Sequence, residues 1–578
     1  MMQDLRSVRT KLNSALNEYA CACFALADQA GSKSTIAPLQ ALSHDVATEL
    51  DALNSIKDTT MRIEATLNRA KKALLSTAPV YLLPGEILIR IFQWTMHAQS
   101  QDFEKLIDEK SLPQNALAIT HVCARWRRVA FESSNIWSHI DLSINDAIIL
   151  LAKGFTCHAK NQPLSIRLIE PLSRWGANDS LSKLNEFISS VASRTESLEL
   201  TWVLPIPYLE FSPQWSQILE HSMSCATQSL KRLTLSVRDI NHTSYQAGYA
   251  HWFIVTPHST THSRDEASRT VVLRDIPEEV YENTLFAIKS LSLDRIYPLW
   301  TSKAFHGLLE LRLTGPRETT FTITLQQFAN ILAASPELRV LHFGLEFMLS
   351  GVRPPAIHLE HLEVFLLQST LSQTQQNVLQ LILPGRKPLR MSTTYSKEIE
   401  HGQLPAIFRE DGFSSAPIYI IQFHAHDYTS VAADYLLPLL PNLRTLILRE
   451  ATIQGISKKN RSASPCPELN ALHFLSCVFR LDGFCWLLSG RNMREVVIWD
   501  CQIIDEKGHK HPAEEFRPKL TEICPLVQLL DKSDYQSTIK IEGWGEDMKD
   551  RIISAAFRPH SAVHPPGRRM GFMNLGAR

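Results

Sequence analysis

Leu469-Asn470-Ala471-Leu472-His473-Phe474-Leu475-Ser476-Cys477 is answered further on by Met493-Arg494-Glu495-Val496-Val497-Ile498-Trp499-Asp500-Cys501. Both stretches carry apolar residues at the first, fourth and sixth places and a cysteine at the ninth. The same form, Leu-x-x-Leu-x-Leu with substitutions, recurs at Leu443, Leu446 and Leu448. It also occurs at Leu230, Leu233 and Leu235; at Leu308, Leu311 and Leu313; at Leu338, Leu341 and Phe343; and at Leu362, Phe365 and Leu367. Where the starts are consecutive they lie 30, 24, 26 and 24 residues apart. Alternation over the last positions of each run is the signature of a strand with one face in a core. The intervals hold helix-like segments such as Leu325–Ala334 and Phe484–Leu488, and Ser335-Pro336-Glu337-Leu338 and Pro441-Asn442-Leu443 lead into strands. Copies of one template at one spacing imply stacked units that bury a shared core.

Beyond these runs, Pro163–Leu168 and Ser197–Leu200 read as the opening strands, and strands are expected near Leu389–Met391 and Ile418–Phe423. Residues 236–268, rich in His, Ser, Thr and Asn, read as a long loop, and residues 546–578, with Pro565-Pro566-Gly567-Arg568-Arg569, as a frayed tail. The array resembles a degenerate leucine-rich repeat, with Cys477 and Cys501 at that pattern's Asn/Cys position. The resemblance implies an irregular α/β solenoid over residues 143–545, its strands stacking a core and its helices packed outside. A generic α/β domain with Leu-rich strands is the competing reading.

Residues 1–78 read as helical. An Ala- and Leu-rich stretch from about Leu5 to Gln29 is broken at Gly31-Ser32-Lys33-Ser34. Val46, Leu50, Leu53, Ile56, Thr60, Ile63, Leu67, Ala70 and Leu74 then recur at threes and fours, an amphipathic helix that ends at Ala78-Pro79. The two helices would pair as a hairpin, or with another chain as a coiled coil.

Between helices and repeats, Leu82-Leu83-Pro84-Gly85-Glu86-Ile87-Leu88-Ile89-Arg90-Ile91-Phe92 puts a proline and an acid where a helix begins, with Ile87, Leu88, Ile91 and Phe92 as an apolar stripe. Ile119, Val122, Cys123, Trp126 and Val129 or Ala130 make a second stripe, and Trp137 follows to plug a local core. Two short helices and a tryptophan cannot bury enough surface to fold alone, so the segment calls for something to dock on. Leu83-Pro84, Ile87–Phe92, Val122-Cys123-Ala124-Arg125-Trp126-Arg127 and the late Trp137 resemble an F-box, with a polar insertion at 98–113. The chain as a whole is similar to the F-box-like proteins of mushroom-forming fungi. That resemblance implies a substrate-recognition subunit of a Skp–cullin–F-box ubiquitin ligase. Leu83, Pro84, Ile87, Leu88, Ile91, Phe92, Val122, Cys123, Trp126 and Arg127 would bind a Skp-family adaptor, and through it a cullin–RING ligase. The repeats would hold a target protein, and proximity would raise the effective concentration of its lysines. The alternative is an interaction scaffold whose F-box-like segment only caps the repeats. The organisation expected is a helical hairpin or coiled coil over 1–78, an F-box-like domain over 79–142, the repeat array, and the tail.

Composition narrows the classes further. Lys and Arg total 59 and so do Asp and Glu, which argues against broad electrostatic binding of nucleic acid. The ten cysteines form no Cys-x-x-Cys sets, and Cys21 and Cys23 read as helix-core residues. No signal peptide and no membrane-spanning run is legible, so a cytoplasmic or nuclear location is expected and the sequons at Asn178, Asn241 and Asn460 are read as chance. Catalytic signatures for acyl transfer, nucleotide binding or zinc hydrolysis are not found, so no enzyme, cofactor or metal is expected. His424 and His426 would share a strand face but lack an evident third ligand, and Arg125, Arg127 and Arg128 around Trp126 read as solvated or facing an acidic partner. Trp202, Trp215, Trp252 and Trp486 read as core.

Overall fold

The computed structural model describes residues 2–32, 37–75, 79–99, 115–169, 178–204, 213–225, 229–239, 251–257, 268–315, 321–348, 353–369, 371–395, 418–425, 430–431, 437, 440–453, 468–480, 493–505, 509–523 and 527–530. The chain divides into two compact units, Met1–Leu88 and Ile89–Arg578.

In the first unit, α1 (Met2–Ser32) and α2 (Ala37–Leu75) fall where the periodicity places them. They touch through the Tyr19 hydroxyl, which donates to Glu49 Oε2 at 2.7 Å. The apolar stripe is not covered there: Leu12, Leu16, Leu50, Leu53, Ile63 and Leu67 are exposed. Cys21 and Cys23 sit on α1 as expected, but on its solvent side, so they are not core residues.

The second unit is mixed α/β and is organised by one fourteen-stranded sheet. Its strands are β1 (His139–Leu142), β2 (Leu164–Ile169), β3 (Thr195–Leu204), β4 (Arg232–Asp239), β5 (Ser290–Asp294), β6 (Glu310–Thr314) and β7 (Val340–Gly344). They continue as β8 (Val364–Leu367), β9 (Leu389–Tyr395), β10 (Ile418–Ala425), β11 (Thr445–Arg449), β12 (Ala471–Leu475), β13 (Glu495–Trp499) and β14 (Val527–Leu530). Neighbours in the sheet are neighbours in sequence, all parallel. Register explains why the template recurs. The fourth position of each run makes a ladder from Ile140 through Ile166, Leu198, Leu233, Leu291, Leu311, Leu341, Phe365, Met391, Ile421, Leu446 and Leu472 to Val496 and Val527. The sixth makes a second, from Leu142 to Leu529, polar only at Thr393. A one-residue slip would turn both ladders to the other face, so burial pins the register.

Helices fill the intervals: α3 (Gly85–Gln99), α4 (Asn115–Val122) and α5 (Ala124–Glu132) precede the sheet. Then come α6 (Asp146–Ala159), α7 (Asn178–Val191), α8 (Pro213–Cys225), α9 (Glu278–Phe286), α10 (Leu325–Ala333), α11 (Ser372–Leu381) and α12 (Arg517–Ile523). α10 begins with a capping box, in which Thr324 accepts from the Gln327 backbone N–H and Gln327 returns the bond. Its Phe328 lies 4.3 Å from Phe343 of β7, the sheet–helix contact the pattern implies.

Differences from expectation have local causes. Residues 251–255 form a strand rather than loop, pairing in parallel with 268–272 and 296–298, and Trp252 is buried in it. Two neighbouring strands overrode the weak alternation there. Strand β5 follows Ile288-x-x-Leu291-x-Leu293, a copy of the template that the other seven obscured. The stretches 98–113, 484–488 and 546–578 lie wholly or largely outside the described residues, as do Trp486 and His426. Trp202 and Trp215 are core, packed edge to face at 5.3 Å. No described helix is long and apolar enough to cross a membrane.

Past the main sheet each late unit repeats a backbone feature invisible to the Leu pattern. Glu450, Ser476 and Asp500 all have φ near +50°, at 51°, 52° and 49°. Each precedes a small buried residue, Ala451, Cys477 or Cys501. The turn feeds a second sheet of strands 430–431, 452–453, 478–480, 502–504 and 510–512. The Cys477 thiol donates to Leu448 O at 3.2 Å and Cys501 Sγ accepts the Cys477 backbone N–H at 3.3 Å. The ninth-position cysteines therefore pair backbone groups between units, which burial requires. Burial pushes the Cys501 thiol well above its ordinary value, so it stays protonated and able to donate.

Candidate functional site

Helix α3 opens one residue later than the sequence suggests: Pro84 stands just outside it, and its carbonyl accepts the Leu88 N–H at 3.1 Å. Glu86 lies in the first turn, where the helix dipole favours an acid. The stripe read from the sequence divides in two. Leu88 and Phe92 are buried, and Phe92 packs on the Trp126 ring at 4.8 Å. Ile87 is 43% exposed, and Trp94, one heptad on and so on the same side of the helix, is 56% exposed. Ile91, half-buried, lies between these faces, Leu83 is half-buried, and Pro84 is exposed.

The second stripe is interrupted. Residues 115–132 form two helices, broken at Cys123, whose backbone is extended at φ −160°. Cys123 caps α5: its Sγ accepts the Trp126 backbone N–H at 3.4 Å. The Cys-x-x-Trp spacing is thus a cap and its third helical residue, the geometry by which a side chain satisfies an orphan N–H. The break turns Val122 outward, exposed, instead of into the stripe with buried Ile119 and Ala130. Arg127 is exposed and donates from Nε to Thr120 O at 2.9 Å, tying α5 back to α4. Cys123 and Trp126 are half-buried.

Trp137 joins this helical segment to the sheet. Its Nε1–H donates to Ala130 O at 2.8 Å, and its ring stacks on Phe131 at 5.3 Å and meets Phe155 of α6 edge-on at 5.2 Å. Strand β1 starts two residues later.

A second candidate surface is the sheet face opposite the apolar ladders. Between the ladders runs the row Asp141, Arg167, Glu199, Thr234, Ser292, Arg312 and His342. Arg167 is buried and donates to Asp141 Oδ1 at 2.7 Å. Burial would raise the Asp141 carboxyl, but His139 and Arg167 outweigh it and hold it below its ordinary value. Ser290 donates to Glu310 Oε2 at 2.8 Å and Ser236 to Asp294 Oδ2 at 3.2 Å. From β11 to β13 the row becomes Ile447, His473 and Val497, all buried, so those strands are covered on both faces.

Of the ten residues read as adaptor-binding, the structure turns Pro84, Ile87, Val122 and Arg127 to solvent and buries Leu88 and Phe92. Trp94 was missed; seven residues after Ile87, its spacing was the available signal. Also missed were Asp505, His509 and His511, whose Asp-x-x-x-His-x-His spacing brings three ligating atoms within 4.8 Å of one another. No family model and no curated protein matches the chain.

Proposed function

We propose that this chain is a binding subunit rather than an enzyme. Its F-box-like helices would dock a Skp-family adaptor of a cullin–RING ubiquitin ligase, and its repeats, as a leucine-rich-repeat-type solenoid, would hold a target protein. The observation that carries the docking half is the outward face of α3, where Ile87 and Trp94 stand in water although the same helix buries Leu88 and Phe92. Fully burying side chains of this size is worth about 1.5–3 kcal/mol each, so leaving them exposed makes sense beside a partner. The solenoid half is supported by fourteen parallel strands in sequence order and by the two ladders through them, apolar except at Thr393. The polar row Asp141–His342 would supply target specificity, since charged and polar groups discriminate partners better than they attract them.

The test is co-purification with a Skp-family adaptor. Wild-type protein is expected to retain it. Ile87→Glu/Trp94→Ala should lose it while keeping the same helical signal and unfolding midpoint, because neither residue is core. Retention by that variant, or no retention by the wild type, defeats the proposal.

One observation favours a second reading, the scaffold. Trp137 and α5 are built into the start of the sheet, as a cap of the repeats would be. Under that reading, Trp137→Ala unfolds the first repeats and the Ile87→Glu/Trp94→Ala variant changes no association at all.

A further inference from the structure

Every described strand pair is parallel except one, the hairpin of residues 502–504 and 510–512 that ends the second sheet. Its two histidines and one aspartate converge at the turn end. The Asp505 backbone N–H donates to His509 O at 3.0 Å, and the His509 N–H donates to Asp505 Oδ1 at 2.8 Å. That second bond fixes the carboxylate and leaves Oδ2 directed at both rings, 3.3 Å from His509 Nδ1 and 3.4 Å from His511 Nε2. The other nitrogen of His511, Nδ1, lies 3.0 Å from Glu515 Oε2, and the Phe516 ring meets the imidazole edge-on at 6.0 Å.

We propose that Asp505, His509 and His511 bind a divalent transition-metal ion of the zinc type, with Glu515 orienting His511. Zinc takes imidazole nitrogen at about 2.0–2.1 Å and carboxylate oxygen at about 2.0–2.2 Å in a tetrahedron, whose ligand atoms are then about 3.3–3.5 Å apart. Two of the three edges of the site have that length before any ion enters. The two histidines and one carboxylate suit a borderline ion better than calcium or magnesium, which favour all-oxygen shells. The contact from Glu515 to the far nitrogen of His511 is the carboxylate–histidine–metal arrangement that fixes which nitrogen ligates. Three ligands leave one tetrahedral position, and His509, its side chain 70% exposed, puts that position at the surface, open to water or to a donor from a bound partner. Without an ion the same groups are a surface ion-pair cluster, screened by water and weakly stabilising. An ion would instead tie Asp505 to His511 across the hairpin and clamp the edge of the sheet.

The site is tested on the full chain, stripped with chelator and dialysed against zinc ions, with bound metal measured by atomic emission. Because exposed cysteines also take zinc, the readout is the difference between wild type and His509→Gln/His511→Gln. The expected result is one more zinc per chain in the wild type. Cobalt(II) soaked into the same protein should show tetrahedral visible absorption that the double variant loses. Glu515→Gln, which leaves all three ligands in place, should weaken the affinity about 10-fold or more. Raising the proton concentration should weaken it too, since only unprotonated imidazole ligates. Equal zinc content in wild type and double variant, with circular dichroism showing both folded, or identical cobalt spectra, would reduce the cluster to an ion pair and overturn the proposal. If Glu515→Gln leaves the affinity unchanged, the orienting role assigned to Glu515 is wrong.

Discussion

His342→Gln should remove a defined part of the acid sensitivity of the sheet. His342 sits on β7 in the polar row, between Arg312 of β6 and Leu366 of β8, and only 9% of it reaches solvent. Burial is the largest cause pushing its imidazole down to about 4 from the ordinary 6.5; neighbouring Gln368, Asp294 and Glu310 pull it back up and Arg312 pushes it further down. The sign follows from proton counting. Below pH 6.5 the unfolded chain takes up a proton at this position and the folded chain does not, so stability falls as pH falls. The loss begins near 6.5 and is complete below about 4, where the folded state is protonated too. At about 1.36 kcal/mol per unit, a depression of 2.5 units costs about 3.4 kcal/mol in total, of which about 1.8 kcal/mol falls between pH 7 and pH 5. With 22 histidines in the chain, only the difference between wild type and variant isolates this one. Urea unfolding followed by far-ultraviolet circular dichroism at pH 7 and pH 5 measures it. The wild type should lose about 2 kcal/mol more than His342→Gln over that interval, whatever the variant costs at pH 7. Parallel losses would mean that His342 is solvated in the folded chain, and the account of a closely packed polar row would fall with it.

Arg167→Met leaves the Asp141 carboxylate without its guanidinium in a buried place and should cost about 3–5 kcal/mol at neutral pH, much of it recovered by adding Asp141→Asn; an additive double variant would refute the pairing. Because the Asp141 carboxyl is held below its ordinary value, its contribution is present above the normal carboxylate range and disappears as pH falls through its depressed value, at lower pH than most of the His342 loss. Phe343→Ala empties a fully buried site between Phe328 at 4.3 Å and Phe347 at 5.2 Å and should cost about 3–5 kcal/mol in urea unfolding. Trp137→Phe keeps most of the ring but loses the bond to Ala130 O, which still accepts from Ser133 N–H; about 1 kcal/mol is expected, and a cost above about 3 would show that the ring shape matters more than the bond.

The strand positions were legible because they depend on a period that local sequence carries. Leu446, Leu472 and Val496 fall on one ladder because each obeys the same alternation, and the spacing between runs is long enough for a connection. The N-terminal helices were legible for the same reason, at the helical period. What the pattern could not show was which side of a helix meets the protein. Ile87, Leu88, Ile91 and Phe92 are chemically alike, and a stripe this wide satisfies either face; only packing against Trp126 distinguishes Phe92 from Ile87. Helical spacing carries Val122 into the stripe, but the extended backbone at Cys123 resets the phase of the helix and leaves Val122 exposed. The strand at 251–255 is not legible locally because its stability lies in its neighbours, residues 268–272 and 296–298, far along the chain.

The chain's own periodicities therefore determined that there would be long amphipathic helices followed by many short strands of one register, because alternation and helical spacing are local properties tied to burial. The tertiary structure decided which of two equally apolar helix faces stays in water, and it brought Arg167 against Asp141 from 26 residues away. It also gathered Asp505, His509 and His511 at the end of a hairpin. These outcomes depend on distances between side chains on different strands and turns. The Leu pattern, which places strands and their register, encodes neither those distances nor the positive-φ turns at Glu450, Ser476 and Asp500.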